Sequence, residues 1–229
     1  MADKSKNDRI CENLTFASKE AFKKLRYSVE NVFEETLRCA IIGITSAQPG
    51  EGKSTVAVNL AYSLAEHGHK VILIDADMRR ASLHTKLGIN RAPGLSGLLS
   101  AANNISSSIQ KYKSSKSETV FDVMAAGDVL DNPSEILDSP RTQALLNDLS
   151  KQYNYVILDL PPVGAVVDAV SVSKHTDGMI VVIHENNCTR SVFNDCIDQL
   201  EHAKANILGF VMNGAMEGVG KKNQYNNYY

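Results

Sequence analysis

The chain predicts an α/β fold: a mostly parallel sheet with helices on both faces, in three layers. Three observations point there. Short apolar runs of strand length alternate with stretches of helical period along most of the chain. A glycine-rich turn, Ser46 to Thr55, stands between one such run and one such helix. Two runs end in aspartate, one in the pair Asp75 and Asp77, the other at Asp159. Parallel strands open their carboxyl ends onto one crevice, so the turn and the acids belong to the same edge of the sheet. With 229 residues, 43% hydrophobic and 22% charged, the composition is that of one globular domain. A formal net charge of -2 argues against a general nucleic-acid binder. No apolar run reaches the ~18 residues of a membrane span, and the first residues lack the apolar core of a signal peptide, so a cytoplasmic chain is expected. Cys11, Cys39, Cys188 and Cys196 form no metal-spaced cluster and read as packing residues.

Taken in order, residues 1–14 are polar and expected to be a flexible segment. From Ser18 the pattern is helical, with Phe22, Leu25, Val29, Val32 and Phe33 on one stripe and Lys19, Glu20, Lys23, Arg26 and Glu30 on the other face. Glu20, Lys23 and Arg26, three apart, read as local ion-pair support. Arg38 to Thr45 is a buried strand, and Val56, Leu60, Leu64 and Ala65 mark a helix that Gly68 stops. A glycine-rich turn at this junction points backbone N–H groups at the positive end of a helix, where polyphosphate is held. Lys53 is placed to reach the terminal phosphates and Ser54 to offer a hydroxyl to magnesium. The usual pattern opens with Gly, where Ala47 stands. Gly50, Gly52, Lys53 and Ser54 keep the rest of a P-loop.

Lys70 to Asp77 reads as the second strand, its Asp75 and Asp77 on the same side. Two such acids repel unless a cation or proton intervenes, which suggests Mg2+. Short helices and loops follow over residues 78–88 and 91–99. Arg79 and Arg80 read equally as phosphate or subunit contacts and as solvated charges. Residues 103–117 form a serine-rich surface excursion, Thr119 to Ala125 a strand, and Ser139-Pro140 a helix start with Ala144, Leu145 and Leu149 inward. Tyr155 to Asp159 is a strand whose final carboxylate belongs beside Ser54 at the metal. Gly178 to Ile183 is a strand, Thr189 to Ala203 a helix, and Ala205 to Asn213 a last strand. Asn213 reads as turn chemistry or as a reader of the adenine edge. The six histidines show no ligand spacing and read as incidental or surface residues. The end of the chain, glycine-rich and then carrying Tyr225, Tyr228 and Tyr229, has no apolar period. It reads either as a disordered tail or as a flexible one that reaches another subunit's active site.

Several motifs together resemble the bacterial tyrosine kinases that govern capsular and exopolysaccharide synthesis, in their separate cytoplasmic Gram-positive form. They are Glu20-Ala-Phe-Lys-Lys-Leu-Arg26, the loop Thr45 to Thr55, Ile72 to Arg80, Asn132-Pro-Ser-Glu-Ile-Leu137, Ile157 to Val163 and the tyrosine tail. The resemblance implies a P-loop kinase domain over 15–213 with an N-terminal oligomerisation helix, and a flexible tyrosine tail over 214–229. It implies ATP and Mg2+ as cofactors, the nucleotide bound by Gln48, Gly50, Glu51, Gly52, Lys53, Ser54, Thr55 and Asn213. Lys53 would stabilise the transferring phosphoryl group, Ser54 would bind magnesium, Thr55 the α-phosphate, and Asp75 would orient or deprotonate the incoming tyrosine. Asp77 and Asp159 would hold magnesium. Tyr225, Tyr228 and Tyr229 would be phosphorylated in trans.

The same resemblance implies a homo-oligomeric ring, such as an octamer, joined through Glu20, Lys23 and Arg26. Lys23 stands where Arg is usual, and Ala81 where Pro is usual. Implied partners are a transmembrane adaptor of the polysaccharide co-polymerase type, which recruits the kinase to the inner face of the plasma membrane, a tyrosine phosphatase, and protein substrates of sugar-nucleotide or polysaccharide pathways. No nucleic acid is among them. The alternatives are a partitioning or positioning ATPase switch, which carries a signature lysine where Gln48 stands, and a weakly active ring-forming regulator of polysaccharide export.

Overall fold

A computed structural model describes residues 11–33, 39–100, 103–185 and 187–214. Strands β1 (Ala40–Ser46), β2 (Val71–Asp75), β3 (Gln110–Lys113), β4 (Val120–Met124), β5 (Tyr155–Asp159), β6 (Gly178–His184) and β7 (Ile207–Asn213) form one sheet in the order β3-β4-β2-β5-β1-β6-β7. Every pairing is parallel except β3 with β4. β2 and β5 are buried at every position, as strands covered on both faces must be. Because β2, β5 and β1 are neighbours, their carboxyl ends meet. Asp75 lies opposite Asp159, and Asp159 opposite Ile44.

On one face lie α1 (Phe16–Phe33) and α2 (Lys53–Glu66), where Val29, Phe33, Leu60 and Leu64 pack with Ile42 and Ile44. The other face is covered by α7 (Pro140–Ser150), α8 (Asp168–Ser173) and α9 (Arg190–His202), with Leu145, Leu149, Val172 and Leu200 clustered with Ile72, Val156 and Leu158. Between β2 and α7 run the short helices α3 (Leu83–Leu87), α4 (Leu95–Leu99), α5 (Ile105–Ser108) and α6 (Pro133–Leu137). Among the described residues no helix is long and apolar enough to cross a membrane.

The structure corrects the sequence reading in four places. Val32 is 52% exposed, because Val29 and Phe33, four apart, already form the buried seam of α1. On α7 the inward set is Thr142, Leu145, Leu146 and Leu149, spaced by three and four, which leaves Ala144 outside. The serine-rich excursion contains α5 and the edge strand β3, whose alternating half-buried and exposed polar residues suit the rim of a sheet. Finally, Cys11–Asn13, inside the segment expected to be loose, form a 3-10 turn. Glu12 holds it there by accepting hydrogen bonds from the Tyr112 hydroxyl at 2.9 Å and the Ser115 N–H at 2.7 Å. Tyr225, Tyr228 and Tyr229 lie outside the described residues.

Candidate active site

The loop after β1 folds back through Gly50 and Gly52, both in the left-handed region at φ +86 and +92. A Cβ on Gly52 would stand 2.0 Å from Asn213 Nδ2, so the end of β7 presses on the loop where α2 begins. Internal bonds fix its shape. Ser46 Oγ donates to the Gln48 carbonyl at 2.8 Å, and the Gln48 N–H to Glu51 Oε2 at 2.8 Å. The N–H groups of Val163 and Gly164 donate to the Ser46 and Ala47 carbonyls at 2.9 and 3.1 Å, tying the loop to the chain beyond β5. At its mouth sits the first turn of α2, whose N–H groups have no carbonyl partner within the helix.

Two residues expected to contact nucleotide have their side chains engaged in the loop itself. Glu51 is fully buried and serves as the acceptor that holds Gln48. Asn213 donates to the Glu51 carbonyl at 2.9 Å and accepts from Gly214, so here it braces the loop. Thr55 is half-buried in the first turn of α2.

Lys53 lies at the centre. Its Nζ is 2.8 Å from Asp77 Oδ2 and 3.5 Å from both Asp159 Oδ1 and Ser54 Oγ. Asp75, Asp77 and Asp159 are all buried, at 0%, 3% and 0% exposure. Asp75 Oδ2 accepts the Ser82 and Leu83 N–H groups at 3.0 Å each, while Asp75 Oδ1 and both oxygens of Asp159 have no hydrogen-bond partner. Three carboxylates against one ammonium leave two negative charges in a dry site, which is costly unless a proton or a cation joins them. Burial pushes the Asp75 carboxyl up to about 7, helped by the Asp159 charge and opposed by the Leu83 and Ser82 N–H groups and by Lys53. Burial likewise raises Asp159, against the pull of Lys53 and Ser54. Burial alone would lower the Lys53 pKa, yet the carboxylates of Asp159, Asp77 and Asp75 together hold it above its ordinary value. The buried oxygens of Asp159, paired with Lys53 across 3.5 Å, and the Ser54 hydroxyl are hard donors of the kind that Mg2+ takes, so the residues fit that ion.

Sequence reasoning missed the support around this cluster. Arg79, read as a loop charge or a phosphate contact, forks onto Asp168, with Nε 2.9 Å from Oδ2 and Nη2 3.2 Å from Oδ1. Its Nη2 also donates to Ser134 Oγ at 3.2 Å, and the Ser134 hydroxyl donates in turn to Asp168. Asp168 is fully buried at the start of α8, so the three residues brace the segment after Asp77 against α6 and α8. Ser82 adds a contact to Ser54, Oγ to Oγ at 3.2 Å. Glu20, Lys23 and Arg26 stand on α1. Lys23 pairs with Glu20 at 2.8 Å, whereas Arg26 turns to Glu30 at 3.8 Å.

A family model described as ParA, NUBPL iron-transfer P-loop NTPase, matches residues 39–228. The tyrosine-protein kinase YwqD of Bacillus subtilis is 32% identical over 209 residues, which is 91% of this chain and 85% of that protein. The putative tyrosine-protein kinase EpsB of Ralstonia solanacearum is 34% identical over 196 residues, and there the chain spans 25% of the relative's length. Among solved structures, the kinase domain of the Escherichia coli tyrosine kinase ETK superposes with a TM-score of 0.82 at 33% identity, covering 90% of this chain and 79% of that one. A P-loop cradle with acids at neighbouring strand ends, matched over most of the chain by such relatives, places it in a family: the chain belongs to the P-loop NTPases and, within them, to the bacterial tyrosine kinases.

Proposed function

We propose that this chain transfers the γ-phosphoryl group of ATP to tyrosine, including Tyr225, Tyr228 and Tyr229 of a neighbouring copy. The observation that carries the reading is the convergence of Asp75, Asp77 and Asp159 on Lys53 and Ser54 at one edge of the sheet. The loop with Gly50 and Gly52 and the first turn of α2, including Thr55, cradles the phosphates. Ser54, Asp77 and Asp159 hold Mg2+, which neutralises phosphate charge when bound. Lys53 exchanges its contact with Asp77 for the transferring group. The tyrosine oxygen bonds to the γ-phosphorus as the bond to the ADP oxygen breaks, and the phenol proton passes to Asp75. Burial, which raises the Asp75 carboxyl above its ordinary value, makes it a stronger proton acceptor than an exposed aspartate. Most of the acceleration comes from positioning and charge neutralisation.

In this reading α1, through Glu20, Lys23 and Arg26, joins copies into a ring, so that one copy's tail meets another's site. A transmembrane adaptor activates the kinase and recruits it from the cytoplasm to the membrane. A phosphatase reverses the modification, and the output controls capsular or exopolysaccharide synthesis through protein substrates. The motif resemblance and the kinase relatives support this. Incubating the full chain with ATP, Mg2+ and an activating adaptor fragment should place phosphotyrosine in the last nine residues by mass spectrometry, with Lys53→Ala abolishing the signal. Phosphate release without phosphotyrosine would point to the ATPase switch instead.

A further inference from the structure

At the far end of α1, Glu30 meets the turn that follows α2. His67 closes α2, Gly68 turns the chain with φ +95, and His69 leads towards β2. The turn brings both imidazoles to one carboxylate: Glu30 Oε1 lies 2.9 Å from His67 Nδ1 and 2.9 Å from His69 Nε2. The two histidines had read as incidental, because their partner is 37 and 39 residues away in sequence. The His69 ring stands edge-on to Tyr155, with centroids 5.0 Å apart. All three residues line an open cleft of about 540 Å³.

We propose that Glu30, His67 and His69 form a binding site for a divalent transition metal, with zinc the ion that fits best. The three ligand atoms lie within 4.8 Å of one another. Two imidazoles and a carboxylate are a donor set that zinc accepts, with bond lengths of about 2.0–2.1 Å and a fourth position left for water. Tetrahedral ligands at that length sit about 3.3 Å apart, so the present 2.9 Å separations from Glu30 need to open by only a few tenths of an ångström. Arg26 Nε lies 3.8 Å from Glu30 Oε2, the other oxygen, which orients the carboxylate and leaves Oε1 for the metal. The cleft supplies the route of entry and the open position. A bound ion would staple α1 to the α2–β2 turn, and so steady the helix that carries Glu20 and Lys23.

The test titrates Zn2+ alone into the nucleotide-free full chain, in competition with a chromogenic chelator and alongside a His67→Gln/His69→Gln double variant. The glutamine amides can still donate to Glu30, so a purely hydrogen-bonded trio survives the change while imidazole ligation does not. The wild type should bind one more equivalent than the double variant, or bind that equivalent at least roughly tenfold more tightly. Zn2+ should raise Tm in the wild type alone. Co2+ should give the visible absorption of a four-coordinate site in the wild type alone. Equal uptake and equal Tm response in both proteins, or no uptake by the wild type, would overturn the proposal. If the double variant does not fold, Glu30→Gln, which keeps an oxygen acceptor for both rings, serves as the same comparison with the same outcomes.

Discussion

The pairs Lys53–Asp77 and Lys23–Glu20 share a separation of 2.8 Å and little else. Lys53 and Asp77 sit at the carboxyl edge of the sheet with side chains 12% and 5% exposed. Lys23 and Glu20 sit on the outer face of α1 at 53% and 39%. In the first pair the side chains are nearly enclosed, two further carboxylates press in, and the crowding shifts the protonation of Lys53, Asp75 and Asp159. In the second, water screens both partners and the pair is an incidental feature of the isolated chain. Distance alone therefore says nothing about what an ion pair does. Burial decides, and the buried cluster is the one able to act on a phosphoryl group.

The largest effect expected from probing this contrast is at Asp75. In Asp75→Asn the amide oxygen can still accept from the Ser82 and Leu83 N–H groups, so the fold keeps those bonds. Phosphotyrosine formation should fall by about 10²–10⁴, the range for a general base. Stability should move the other way. Because the folded-state pKa is raised to about 7 from an ordinary 3.8, the contribution of Asp75 to stability is fully present below about 4 and lost as pH rises through 7. In EDTA the variant should thus match the wild type at pH 4 and exceed it at pH 8 by about 1–3 kcal/mol, measured by urea unfolding. Added Mg2+ should shrink that gain. A variant no more stable than wild type at pH 8 would remove the case for Asp75 as a strained buried acid.

Most of the carboxyl edge was legible in the sequence, because its signals are local: a glycine turn after an apolar run, and acids at the ends of two more. What the sequence could not convey was tertiary pairing. Asp168 lies 89 residues from Arg79, and nothing in the spacing of either marks the other. Nor does the sequence convey that the Glu51 side chain, in a loop of glycines, is the internal acceptor that holds Gln48. β3 escaped notice since Gln110-Lys-Tyr-Lys113 is polar, and an edge strand needs only one half-buried side. Val32 and Ala144 were placed inward by apolar type, although each lies off the seam its neighbours define.

A middle case sharpens the contrast, since the Arg79–Asp168 pair is half in each environment: Asp168 is fully buried and Arg79 is 40% exposed. Arg79→Met should cost about 1–2 kcal/mol, less than the 3–5 kcal/mol of breaking a wholly enclosed pair. Ser134 remains as a donor to Asp168, and water can reach the side chain that Arg79 vacates. The measurement is the urea midpoint at unchanged m value. A loss as large as that of an enclosed pair would mean that exposure of one partner does not soften the penalty.

The smallest effect expected is at Lys23, and it separates an intrinsic role from an assembled one. Lys23→Ala should leave Tm of the isolated chain unchanged within measurement, because both partners of the pair are exposed and Glu20 can turn to water. If that face of α1 meets another copy, the same pair is desolvated there, and its partner geometry begins to matter. Lys23→Arg would then restore a forked guanidinium–carboxylate contact and shift the chain towards larger assemblies, whereas Lys23→Ala would shift it towards monomer. Sedimentation of the three proteins at matched concentration reads this directly. Identical distributions would show that the outer face of α1 stays in water and that the ring, if formed, uses another surface. A graded order of Arg, Lys, Ala would instead show that association gives an ordinary surface pair the burial that the Lys53 cluster has from folding alone.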